Sequence, residues 1–251
     1  MARPHTSRCR RFRRGTEPGT GFRWNFRAPV SVEPAMEIRG DVWRSRLWLI
    51  AGVLVGLVAL SILAIDGPVA IAASGVSQAA QLTVSRFTGA IEIVFGFPLS
   101  IYASGLAVLA LAATLALHRR FRATARVMVW IALIQLTTRF AVDILKPVFD
   151  RLRPHEAITD GLLHDRFFAG VGNSFPSGHA AHFWGFFFAL ALVYPKRWLP
   201  LLIVPVLVSA ARVIANDHYV SDVLASAAVA ALVTLIYCGH LTAARVARKK
   251  A

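Results

Sequence analysis

Residues 47–65 read LWLIAGVLVGLVALSILAI, a run with no charged side chain. As a helix it is apolar on every face and long enough to cross the roughly 30 Å hydrocarbon core of a bilayer. Five further mostly apolar stretches are candidate spans: Pro98–Leu117, Val127–Leu145, Ser177–Tyr194, Leu199–Ala215 and Asp222–Tyr237. The whole chain of 251 residues agrees, with 56% hydrophobic and only 16% charged residues, against about a quarter charged in soluble domains. The net charge of +15 then points to a membrane surface before nucleic acid. Cys9 and Cys238 lie too far apart, in too different contexts, for a disulfide framework or a structural zinc site. A secreted mini-protein, a disordered chain and a DNA-binding domain are excluded. The expected class is an all-α polytopic membrane protein with six transmembrane helices.

Basic residues set the orientation, because Lys and Arg accumulate on the cytoplasmic side. Eleven arginines precede Leu47. Arg119, Arg120, Arg122 and Arg126 follow the second span, Lys196 and Arg197 follow the fourth, and Arg245, Arg248, Lys249 and Lys250 close the chain. All of these fall on one side of a six-span arrangement. Arg86, Lys146, Arg151, Arg153 and Arg166 fall on the other, with Arg139 and Arg212 near span ends. Trp43, Trp48, Trp130, Trp198, Tyr194 and Tyr237 mark the cytoplasmic interface, and Tyr102 and Tyr219 the opposite one. Both termini are expected in the cytoplasm of a multi-pass cell-membrane protein.

The predicted organisation is a basic, disordered cytoplasmic tail over 1–46, a six-helix membrane domain over 47–240 and a basic tail over 241–251. Met36, followed by a short basic lead, is an alternative start. The early Arg-Arg pairs stand some 30 residues from the first apolar run, too far for an export signal. Residues 66–97 form an external connection whose apolar stretch, interrupted by Gln78, Gln81, Arg86 and Glu92, reads as a helix lying in the membrane interface.

Ionisable groups at membrane depth are functional hypotheses by default, since desolvating them costs several kcal/mol. Three clusters fall at the extracytoplasmic face: Lys146 to Arg153-Pro154 at the exit of the third span, Pro176-Ser177-Gly178-His179 opening the fourth, and Arg212 to His218 and Asp222 between the last two. Together they make an anion site. Lys146, Arg153 and Arg212 supply positive charge, and the guanidinium fork matches phosphate oxygens. Ser177 is a natural N-cap, and the amides of Gly178 and His179 point at a bound anion with the helix dipole behind them. His179 and His218 can attack or move protons near neutral pH. Asp222, four residues after His218, can accept from its ring and fix the tautomer.

K-x6-R-P, P-S-G-H and R-x5-H-x3-D, in this order, resemble the signature of the type-2 phosphatidic acid phosphatase superfamily, the integral-membrane lipid phosphate phosphatases. The match is tight over about 145–230. Ala211 stands where the family usually has Ser, which removes one hydrogen bond near the phosphate. The resemblance implies that His218 attacks phosphorus and forms a phosphohistidine while Asp222 holds its ring. It implies that His179 protonates the leaving group and then activates water. Lys146, Arg153, Ser177, Gly178 and Arg212 would bind the phosphoryl oxygens, with no metal or other cofactor required.

The expected activity is therefore hydrolysis of a lipid phosphomonoester or pyrophosphate at the extracytoplasmic face. Undecaprenyl diphosphate is preferred, with phosphatidic acid, phosphatidylglycerol phosphate and lipid A phosphate as other candidates. A lipid phosphotransferase using the same phosphohistidine is one alternative and a non-enzymatic transporter or scaffold another. Vanadium-dependent haloperoxidases share the anion site but are soluble. The partners expected are the lipid phosphate and the bilayer, without nucleic acid.

Other polar residues read as structural. Arg139 and Asp143 make a buried i,i+4 pair, and Asp143 can also orient Lys146. His182, one turn after His179, either lines the pocket or serves helix packing. His155, Asp160, His164, Asp165 and Arg166 belong to the external loop before P-S-G-H, read as solvated, with a head-group contact or a lid as the alternative. Gly170, Gly172 and Asn173 belong to turns, and His118 and His240 to the cytoplasmic rim. Cys238 and the run from Phe183 to Phe188 are packing residues.

Overall fold

The computed structural model describes residues 32–163 and 166–250, with side chains over 43–163 and 166–239. The expected disordered tail falls mostly outside these residues, as do His164 and Asp165. Among the described residues every regular element is helical: α1 (Val32–Leu60), α2 (Asp66–Ser74), α3 (Gln78–Val94), α4 (Ala103–Ala116), α5 (Arg122–Phe149), α6 (Pro154–Thr159), α7 (Gly178–Val193), α8 (Trp198–Ile214) and α9 (Val220–Lys250).

Four of the described helical stretches have the length and apolar composition to cross a membrane: Trp43–Ser74, Arg119–Thr159, Pro195–Ile214 and Val220–Gly239. This is a helical membrane protein. The expected second and fourth spans are shorter than predicted. At 1.5 Å per residue, α4 covers about 21 Å and α7 about 24 Å, less than a hydrocarbon core. The physical reason is clearest in α7. Ala180, Ala181, Phe183, Phe187 and Phe188 are all buried, enclosed by α5, α8, α9 and α1. A helix wrapped in protein can begin and end below the bilayer surface, because its polar ends find partners there rather than lipid.

Small residues set the closest approaches. A side chain at Gly105 of α4 would collide with Gln135 and Leu136 of α5, and one at Gly185 of α7 with Thr138 and the backbone of Gln135. In lipid, where apolar burial gives helices little drive to associate, such close contact is a main source of helix–helix attraction. On the other flank α1 lies along α9, with Ala51 against Ala230 and Ala231. At one end Trp43 meets Trp198 edge to face at 6.4 Å, and Trp130 meets Tyr237 at 5.6 Å. Tyr219, read as an interface residue, is instead buried.

The first apolar helix does not stop at Ile65. It passes through a π turn (Ser61–Ile65) into α2, and this turns Asp66 inward, where it is buried. Helix α3 follows, capped by the Ser77 hydroxyl accepting from the Ala80 amide at 3.4 Å. Leu82, Phe87, Ile93 and Val94 are exposed on it.

Candidate active site

Pro147, inside the last turn of α5, lacks an amide hydrogen and weakens that turn. Asp150 then takes a left-handed conformation (φ 41°) and ends the helix. Lys146 thus sits on the terminal turn, and Arg151 to Arg153 run on in extended chain. The Leu152 amide donates to the Arg166 carbonyl at 2.8 Å, and the Ser174 amide to the Arg151 carbonyl at 2.9 Å. These bonds hold the loop before α7 against the end of α5.

Ser177 caps α7, its hydroxyl accepting from the Ala180 amide at 3.4 Å. Its own amide donates to the Asp222 carbonyl at 3.1 Å, and the Ser226 hydroxyl donates to its carbonyl at 2.7 Å. Gly178 has no room for a side chain, because a Cβ would strike the guanidinium of Arg139. Arg139 pairs with Asp143 at 2.7 Å, as expected of the i,i+4 spacing. Asp143 also accepts from the Tyr102 hydroxyl at 2.7 Å, so its carboxylate is committed to Arg139 and Tyr102; Lys146 lies within electrostatic range of it.

His218 lies in the turn between α8 and α9, where Asn216 adopts φ 58°, a conformation Asn tolerates better than most residues. Ser174 Oγ is 3.3 Å and Asp222 Oδ2 3.4 Å from His218 Nδ1. Ser174 also donates to Asp222 Oδ2 at 2.6 Å. The hydroxyl therefore stands as a relay: it takes a hydrogen bond from Nδ1–H and passes one to the carboxylate. Asp222 is the third residue of α9 and reaches back to the Tyr219 amide at 2.8 Å, half of a capping box. His218 is almost wholly buried, and that desolvation holds its imidazole below the ordinary value, the Asp222 carboxylate opposing the shift.

Around these residues lie the cations. Lys146 and Arg212 are within electrostatic range of both His179 and His218, and Arg139 of His179. Arg153 is within range of Lys146 and donates from Nε to Asn173 Oδ1 at 3.1 Å. His179 stacks on Phe97 at 5.1 Å and 12°. His182 is taken up in packing, bonded to Gln135 at 2.9 Å and Ser104 at 3.1 Å. All eight residues named from the sequence gather around one end of α5, α7 and α9.

Four residues of this region went unassigned in the sequence. Ser174 precedes P-S-G-H by two positions. Glu92 of α3 places Oε1 3.3 Å from His179 Nε2 and 3.9 Å from Arg212 Nη1, and burial raises its carboxyl above the usual value against the pull of Arg212. Arg151 is fully buried, bridging Asp222 and Asp66. Asp66 carried one legible signal: it is the only charge between Arg46 and Arg86, which in an apolar run marks a partnered group. Arg166, read as solvated, is largely buried and donates to the Ile62 carbonyl at 2.8 Å.

The sequence pattern of the PAP2 superfamily matches residues 127–243. This segment belongs to the PAP2 superfamily. Two curated relatives, the lipid A 1-phosphatases of Rhizobium etli and Rhizobium johnstonii, are 31% identical over 115 residues and 32% over 123. The alignments take in 43% and 47% of this chain, and the chain spans about half the length of these relatives, 50% of each. A crystal structure of a transmembrane PAP2-type phosphatidylglycerolphosphate phosphatase from Bacillus subtilis overlays on 78% of this chain and 94% of its own, with a TM-score of 0.47 and 20% identity. The PAP2 segment contains α7–α8, most of α5 and most of α9. It leaves out α2 and α3, and so Asp66, Glu92 and Phe97.

Proposed function

We propose that this protein is a metal-independent membrane lipid phosphatase working through a phosphohistidine on His218. The observation that carries the reading is the engagement of His218 Nδ1 by Ser174 and Asp222, at 3.3 and 3.4 Å, with Lys146, Arg212 and a second histidine within electrostatic range of the ring. With Nδ1 occupied, attack falls to Nε2. That nitrogen forms a bond to phosphorus as the bond to the leaving oxygen breaks, and His179 gives that oxygen a proton. His179 next takes a proton from water. The hydroxide attacks phosphorus, the P–N bond breaks, and phosphate leaves with His218 restored. Lys146, Arg153, Arg212 and the amides at the start of α7 hold the phosphoryl oxygens, where donors fixed in advance stabilise charge as it develops.

The substrate class follows from the leaving-group side. Glu92 stands 3.3 Å from His179 Nε2, and a carboxylate there opposes a second phosphate as leaving group more than a hydroxyl. This favours lipid phosphomonoesters, including the lipid A 1-phosphate named for the two relatives, over undecaprenyl diphosphate. In the reading as a whole, six helices form the membrane domain, α4 and α7 completing the bundle; both termini are cytoplasmic and the site opens outward.

Purified protein in detergent, given lipid A, phosphatidic acid, phosphatidylglycerol phosphate and undecaprenyl diphosphate, tests the proposal. Phosphate release that resists EDTA, is blocked by vanadate and falls at least a thousandfold in His218→Ala is expected. Turnover abolished by EDTA and restored by a divalent ion overturns the mechanism. Phosphorylated lipid products in place of phosphate identify a transferase, and absence of turnover on all four lipids leaves a transporter or scaffold.

A further inference from the structure

We propose that Asp66, outside the PAP2 segment, is a positioning residue for catalysis, setting the orientation and charge of Asp222 through Arg151. The inference rests on the phosphohistidine reading above. The contacts form one continuous buried chain. Asp66 Oδ2 accepts from Arg151 Nη2 at 2.7 Å, and Arg151 Nη1 donates to Asp222 Oδ1. Ser221 ties the three together: its amide donates to Asp66 Oδ1 at 3.0 Å, its hydroxyl donates to Asp66 Oδ2, and that same hydroxyl accepts from Arg151 Nη1 at 2.7 Å. Arg151, Ser221 and Asp222 are fully buried and Asp66 is 1% exposed. Rings close the guanidinium off from solvent, Tyr219 at 3.8 Å and Phe167 at 4.4 Å.

Two consequences follow from this geometry. A buried guanidinium facing Asp222 alone would draw that carboxylate's charge wholly to itself. A second carboxylate on the same fork, with Arg166 Nη2 also 3.7 Å from its Oδ2, shares the Arg151 cation and leaves Asp222 with negative charge to hold the ring hydrogen of His218 directly or through Ser174. Asp66 also binds the Ser221 amide, in the first turn of α9, from which Asp222 projects. Orientation of the nucleophile's partner therefore depends on a residue delivered by the π turn of the first apolar helix, a feature often found at functional sites.

The test compares wild type, Asp66→Asn and Asp66→Glu, each purified in detergent and shown folded by thermal melting. Asp66→Asn is expected to lower kcat about 10- to 100-fold, as losses of such supporting partners do. KM should stay within about twofold, because the phosphate-binding cations are untouched. Asp66→Glu, which keeps the charge but displaces it, should fall between the two. The second readout is the ¹⁵N NMR signal of the His218 ring, assigned by its disappearance in His218→Gln. It should move in Asp66→Asn without substrate, so the inference stands or falls even when none of the four lipids is turned over. A folded Asp66→Asn with wild-type kcat and an unmoved His218 signal overturns it, as does a rise in KM at unchanged kcat. If Asp66→Asn does not fold, Asp66→Glu decides by the same measurements.

Discussion

Ser174, between His218 Nδ1 and Asp222 Oδ2, fixes the ring without charging it. The pH dependence follows from the burial of His218. In the proposed mechanism only the neutral imidazole attacks, and desolvation places the folded value below the ordinary 6.5. Protonation therefore overtakes the nucleophile only as pH falls beneath that value, and activity persists through it. Corrected for the substrate phosphate's own ionisation at about 6, the acid limb of kcat/KM should lie below 6.5; an acid limb at or above it contradicts this account. In the proposed reading Glu92 governs choice rather than rate. Replacing it by Gln removes charge beside the leaving group, and the ratio of diphosphate to monoester turnover should rise roughly tenfold, the equivalent of about 1.4 kcal/mol. An unchanged ratio assigns Glu92 to packing.

Helices reach the site at different depths because they are bound differently. α5 and α9 are long, with Lys146 on the last turn of α5 and Asp222 on the first turn of α9, whereas α7 starts inside the protein, capped by the buried Ser177. The register of α4 and α7 on α5 depends on Gly105, where a side chain would overlap Gln135 and Leu136, and on Gly185, where one would press on Thr138 and the Gln135 backbone. Gly105→Val should overpack the α4–α5 contact, costing about 1–3 kcal/mol and lowering the melting temperature in detergent. The displaced Gln135 also holds His182 at 2.9 Å, so the damage should spread toward the Phe97–His179 stack. A variant as stable as wild type would show that α4 can slide without consequence.

At the scale of the molecule, function depends on which side of the bilayer the site faces. The surface turn at Asp160, after α6, is exposed and belongs to the loop joining Arg153 to α7. With both native cysteines replaced, a cysteine at 160 should react with a membrane-impermeant maleimide in intact cells. Reaction only after lysis would place the site in the cytoplasm and reverse the topology. The two-unit construction of the site is a further molecular property. The proposed nucleophile His218, the proposed acid His179 and the cations Lys146, Arg153 and Arg212 come from the PAP2 segment, while Asp66 and Glu92 come from helices preceding it.

The sequence by itself determined the helical class and the membrane setting, and it picked out the eight residues of the proposed phosphate site, because those properties are local. Apolar runs report burial in lipid or protein, and charges stranded at their ends report a use for them. The Arg139–Asp143 pair was legible for the same reason, since four residues make one helical turn. Only the tertiary structure decided that Arg151 and Arg153, two positions apart, serve opposite tasks, one sealed under Tyr219 and the other reaching Asn173. It also shortened the expected spans of α4 and α7 and brought Asp66 to Asp222 across 156 positions of chain. Partners so distant are chosen by packing, in which a carboxylate is retained at depth only if a cation from elsewhere meets it, and no periodicity in the chain records that meeting.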